Sequence, residues 1–193
     1  MPSPWIVQWA GLIATGTAVL DVATGGGRHA RFFAGRGHTV TAIDRDISAL
    51  AAQPNVEIVQ ADLEDGSPWP LPGRTFGAVV VTNYLHRPLF PALLEALTPG
   101  GVLLYETFME GNERFGRPSR PEFLLKDGEL LELARGRLSV TAYEARMVSE
   151  PKMAMVQRIA ARLVGHTRIH MRDRASRPAQ VHALPDREPL ARS

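Results

Sequence analysis

Three acids and one run of glycines are the residues of this sequence whose types and spacing can do chemistry. Between Val19 and Asp44 it reads VLDVATGGGRHARFFAGRGHTVTAID, with Asp21 late in the first apolar run and Asp44 closing the second. Gly25, Gly26 and Gly27 allow the backbone to pass close to a ligand and to take positive φ. A helix starting at Arg28 would aim its unpaired N–H groups and positive dipole end at an anionic group held over the turn. Asp44 lies 17 residues beyond Gly27 and is placed to accept hydrogen bonds from ribose hydroxyls. A third acid, Asp62, follows the third apolar run in Gln60-Ala61-Asp62-Leu63, within reach of an adenine amino group. Together they describe a site for a nucleoside cofactor.

The pattern Gly25-x-Gly27-x-x-Ala30 meets the loose dinucleotide fingerprint. Two acids argue against a nicotinamide dinucleotide. Asp21 precedes Gly25 by four residues, and a buried acid there suits an ammonium group and repels a pyrophosphate. Asp62 adds a partner for adenine. S-adenosylmethionine (SAM), with an amino-acid end, a ribose and an adenine, offers each acid a partner.

Positioning these residues calls for strands alternating with helices, and hence for a largely parallel sheet covered by helices. Strands are predicted at 17–23, 39–44, 55–60, 76–82, 102–108 and 138–147, and FGAVVVT at 76–82 reads as a central strand buried on both faces. Helices are predicted at 5–13, 28–36, 89–97 and 126–135, with a short one from Asp46, as N-cap, to about Ala52. Met109–Pro121, with Arg114, Arg117 and Arg120, reads as a long loop of the kind that often carries function. The run 152–163 fits a strand or a helix.

The chain of 193 residues suits one domain over 1–163, followed by a basic extension over 164–193 that reads as disordered. After Leu163 there are six arginines and three acids, which leaves 16 of the 22 basic and 17 of the 20 acidic residues before it. That near-neutral core argues against a nucleic-acid partner. There is no cysteine, so disulfides and thiolate metal sites are excluded, and no metal ligand set is expected. No apolar run approaches the ~20 residues that cross a bilayer, so a cytoplasmic protein without a membrane partner is expected. The oligomeric state is left open.

DVATGGG at Asp21–Gly27 resembles the first motif of class I SAM-dependent methyltransferases, with Ala23, Gly25 and Gly27 at the three glycine positions and alanine replacing the first. Asp44 matches the family's ribose-binding acid, and Asp62 with Leu63 its adenine segment. FGAVVVTNYLHR matches the fourth strand and its loop, and LTPGGVLLYET the turn into the fifth. The continuation after the glycine turn, and PEFLLKDGELLEL, are similar to small bacterial methyltransferases of the tellurite-resistance group. The resemblance implies a Rossmann-like, seven-stranded, mostly parallel sheet of order 3-2-1-4-5-7-6 with helices on both faces, and an antiparallel hairpin at the end. It implies methyl transfer from SAM to a small-molecule acceptor, with Asp21, Ala23, Thr24, Gly25, Gly26, Gly27, Arg28, Asp44, Arg45, Asp62, Leu63 and Asn83 at the cofactor. The alternatives are an RNA or protein methyltransferase recruited by the arginine-rich tail, and a SAM-binding regulatory protein without catalysis.

Acceptor chemistry is expected where the fourth and fifth strands end. Tyr84 would line the methyl pocket, His86 would serve as a base near working pH, and Glu106 would touch substrate. Each has a structural reading too, as packing, loop cap and buried hydrogen bond. Arg87 reads as a surface charge, Arg28 as a partner of the methionine carboxylate, and the loop arginines as an anion patch. Trp5 and Trp9 are candidates for a lid or for helix packing.

Overall fold

The computed structural model describes residues 1–165. Seven strands form one sheet: β1 Val19–Val22, β2 Val40–Asp44, β3 Val56–Gln60, β4 Phe76–Thr82, β5 Leu97–Phe108, β6 Leu138–Val148 and β7 Ala154–Leu163. Their order is β3-β2-β1-β4-β5-β7-β6. The first five run parallel, and β7 is antiparallel to both β5 and β6. The fold class expected from the sequence is therefore the observed one. The run 152–163 is a strand and half of a hairpin. The extension expected from residue 164 lies, from 166 onward, outside the described residues.

Helices cover both faces. On one, Leu20, Val22, Val79, Val81, Leu103 and Tyr105 pack against α3 (Phe90–Glu95) and α4 (Glu129–Ala134). On the other, Val19, Val80 and Leu104 pack against α1 (Pro4–Trp9) and α2 (Arg28–Ala34). Successive strand residues alternate between these two cores, which is why β4 reads as a nearly unbroken apolar run. The Ser3 hydroxyl caps α1 by accepting from the Trp5 amide at 3.2 Å, with Pro4 in the first turn.

Four local expectations differ from the structure. No helix follows Asp46; its Oδ1 accepts from the Ser48 amide at 3.0 Å, so the side chain closes an Asx turn instead of capping a helix. The α4 helix begins only at Glu129, because Gly128 turns left-handed at φ 71°; Gln157 Oε1 then accepts from the Leu130 amide at 2.7 Å. α3 stops at Glu95, and Thr98-Pro99-Gly100-Gly101 forms a bulge inside β5, not a free turn. Gly101 is packed so tightly there that a Cβ would lie 2.8 Å from the Thr98 carbonyl.

Candidate functional site

The chain leaves β1 at Val22 and reverses over Ala23–Gly27 at the carboxyl end of the sheet. Ala23, Gly25 and Gly27 take φ of 53°, 53° and 70°. A Cβ at Gly25 or Gly26 would meet nothing within 4 Å, so the space above the turn is open to a ligand. At Gly27 a Cβ would lie 2.7 Å from Leu50 Cδ2, so that glycine serves packing as well as conformation.

Asp21 is buried beneath this turn. Its Oδ2 accepts from the Thr24 hydroxyl and from the Ala30 amide at 3.0 Å, tying β1 to the first turn of α2. It thereby supplies the cap that Gly27, at the N-cap position, lacks. Its Oδ1 is buried with no partner among the described residues. Burial pushes the Asp21 carboxyl up to about 6, against the pull of the Thr24 and Ala30 hydrogen bonds and of Arg28. A buried carboxylate oxygen without a partner is a group waiting for a donor.

Asp44 faces the turn from the end of β2. Its Oδ2 accepts from the Gly25 amide at 2.7 Å and its Oδ1 from the Asp46 amide at 3.0 Å. A carboxylate offers about four acceptor directions, so each oxygen keeps one for a ligand. Asp62 behaves alike after β3, with Oδ1 accepting from the Glu64 amide at 2.9 Å. Ala23, Asp44, Arg45, Ala61, Asp62, Leu63, Glu64 and Tyr84 enclose a pocket of about 230 Å³. The Tyr84 hydroxyl is buried without a hydrogen-bond partner among the described residues, and burial beside Glu64 and Asp62 pushes its phenol up.

The structure thus brings Ala23, Asp44, Arg45, Asp62, Leu63 and Tyr84 to one pocket, with Asp21 and the glycine turn next to it. Ala61 and Glu64 were not anticipated. A second acid two residues beyond Asp62 was the available signal, because an Asx turn carries residue 64 back over the strand end. Thr24 spends its hydroxyl on Asp21, and Arg28 heads α2 without an ion pair among the described residues. Asn83, at φ 55°, donates its amide to the Glu106 carbonyl at 2.9 Å. His86 stands outside the pocket, at the start of the 3₁₀ turn that leads into α3.

Glu106 is not the free carboxylate expected of a substrate contact. It accepts from the Ser3 hydroxyl at 2.9 and 3.1 Å and pairs with Arg158 Nε at 2.7 Å. Arg158 in turn reaches Glu144 at 3.4 Å and lies 5.8 Å over the Trp5 ring. The Ser3 amide donates to His29 Nε2 at 3.0 Å, and burial depresses the His29 imidazole to about 3. The N-terminal segment is thereby fixed across the sheet. Trp5 and Trp9, 5.7 Å apart, serve as its packing, with Trp5 in the α1–α2 core. Arg87 is a clasp and no loose surface charge. It grips Glu129 with both arms of its guanidinium and donates to the Glu122 and Leu124 carbonyls at 3.0 and 2.9 Å.

A second cleft, of about 640 Å³, opens beyond β5. Of the three loop arginines Arg117 and Arg120 line it and Arg114 does not, and Lys152 from the β6–β7 turn joins them.

Residues 19–101 match the family described as a methyltransferase domain. Among curated proteins none matches the chain. Similar solved structures include TehB from Haemophilus influenzae, with a TM-score of 0.68 and 17% identity over 84% of this chain and 62% of that one. The chain therefore spans less than two thirds of TehB's length. A SAM-dependent methyltransferase from Methanosarcina mazei gives a TM-score of 0.64 and 14% identity over 85% of this chain and 99% of that one. The 1,6-didemethyltoxoflavin N1-methyltransferase of Burkholderia thailandensis, solved with S-adenosylhomocysteine, gives 0.60 and 19% over 83% and 77%.

Proposed function

We propose that this chain, of which residues 19–101 match a methyltransferase domain, is a class I SAM-dependent methyltransferase that transfers a methyl group from SAM to a small-molecule acceptor. The observation that carries the reading is the convergence of Asp44, Asp62 and Tyr84 on one pocket, with an orphaned oxygen of Asp21 beside the open glycine turn. These groups fit the cofactor part by part. Asp44 would hold the ribose hydroxyls with its two free acceptor directions, and Asp62 with Leu63 the adenine edge. Asp21 Oδ1 would accept from the ammonium of the methionine end, which the bare backbone of Gly25 and Gly26 leaves room to approach. The pocket of about 230 Å³ suits the nucleoside half, the remainder running along the turn.

Bound SAM supplies an electrophilic methyl group on a sulfonium. The protein's own contribution is orientation and exclusion of water. Tyr84 would wall the nucleoside pocket on the side of β4. Glu106, held by Arg158 and Ser3, fixes the end of β5 and leaves the reacting atoms to other groups.

Titration calorimetry with S-adenosylhomocysteine tests the reading. Micromolar binding is expected, weakened at least tenfold by Asp44→Ala, since a lost charge-assisted contact is typically worth more than about 1.5 kcal/mol. Unchanged affinity in that variant would overturn the site.

A further inference from the structure

The cleft beyond β5 lies one strand over from the nucleoside pocket, since β5 is the direct neighbour of β4, whose following loop carries Tyr84. Its lining includes two rings and three cations. Lys152 Nζ stands 6.0 Å from the centroid of Phe108, and Arg120 Cζ 5.5 Å from that of Phe123. Glu122 neutralises Arg120, whereas Arg117 and Lys152 have no carboxylate partner among the described residues. Phe123 is 39% exposed, a large apolar ring facing solvent beside these charges.

The two walls are pinned to each other from behind. Buried Asn112 donates its Nδ2 to the Pro118 carbonyl at 2.8 Å and accepts from the Met155 amide at 3.1 Å. One side chain thus holds the arm carrying Arg117 against the hairpin carrying Lys152. Two cations without a carboxylate partner, in a cleft also lined by two rings, are complementary to one anionic group on a flat apolar body.

We propose that this cleft is the acceptor site and takes an organic acid with an aromatic or similarly flat body. Its carboxylate is held between Arg117 and Lys152, and its body lies against Phe108 and Phe123. The assignment of an acceptor rests on the methyl-transfer reading; the anion site itself does not.

The test uses the full chain, with and without saturating S-adenosylhomocysteine. Ligand-observed NMR would measure binding of phenylacetate, 4-hydroxyphenylacetate, salicylate and indole-3-acetate, each against its own amide, with inorganic phosphate as a further arm. At least one acid should bind about tenfold more tightly than its amide, the worth of one charge-assisted contact. The Arg117→Met/Lys152→Met double variant, with both changes on exposed side chains, should remove that preference. The same variant should keep the affinity for S-adenosylhomocysteine within twofold. No acid preferred over its amide, or a preference that survives the double variant, overturns the proposal. Phosphate binding without any organic acid overturns its aromatic half. An acid preference in a protein that does not bind S-adenosylhomocysteine upholds the anion cleft and overturns the methyl-transfer reading instead.

Discussion

Asp21 makes a prediction whose sign and size both follow from its surroundings. In the free protein its carboxyl titrates at about 6, because burial outweighs the Thr24 and Ala30 hydrogen bonds and the nearby Arg28. An ammonium group brought against Oδ1 favours the ionised form and returns the value toward an ordinary ~4. At pH 5 roughly ten in eleven free molecules are then protonated at Asp21, against about one in eleven complexes. S-adenosylhomocysteine should therefore bind about tenfold more weakly at pH 5 than at pH 8, or about 1.4 kcal/mol. Calorimetry at pH 6 in two buffers of different ionisation enthalpy should show release of about half a proton. His29, depressed to about 3, is already neutral across this range and adds no slope. The stability of the free protein runs the other way. A carboxyl raised in the folded state stabilises fully below its unfolded value near 4, and that contribution is lost as pH rises through about 6. Asp21→Asn should flatten both curves. An affinity that is level from pH 5 to 8, with no proton released, would refute the pairing of Asp21 with the ammonium end.

Two further outcomes follow from the same geometry. Ala23 occupies a left-handed φ of 53° that costs a non-glycine residue about 1–2 kcal/mol, partly offset by the extra unfolded-state entropy of glycine. Ala23→Gly should raise the thermal midpoint by a few degrees, and a lower midpoint would show that the strain is relieved in some other way. Arg158→Met leaves Glu106 buried without its cation and should destabilise by about 3 kcal/mol in urea unfolding. Glu106→Gln should cost less and spare S-adenosylhomocysteine binding.

The sheet was legible because its signals are local. Apolar runs mark β1, β4 and β5, and acids late in or just after strands mark the positions where a ligand can be met. The elements that misled were those decided by a partner far along the chain. Nothing near Glu106 shows that Arg158 and Ser3 will claim its carboxylate, and nothing near Arg87 announces Glu129. Arg114 and Lys152 changed places as members of the basic cleft for the same reason. Loop spacing grouped Arg114 with its neighbours, while strand pairing brought Lys152 in from the β6–β7 turn. Asp46 failed differently, since an aspartate that closes a turn and one that opens a helix look alike until the following residues choose.

The place of β7 also bears on how the protein is made. It is the last strand in sequence among the described residues, yet it lies between β5 and β6 and pairs with both. A chain that ended at residue 150 would hold β5, twelve residues long, with one edge unpaired, and β6 with no strand beside it. Long apolar edges of that kind pair readily with other chains. Residues 154–163 protect that edge by filling the gap between β5 and β6.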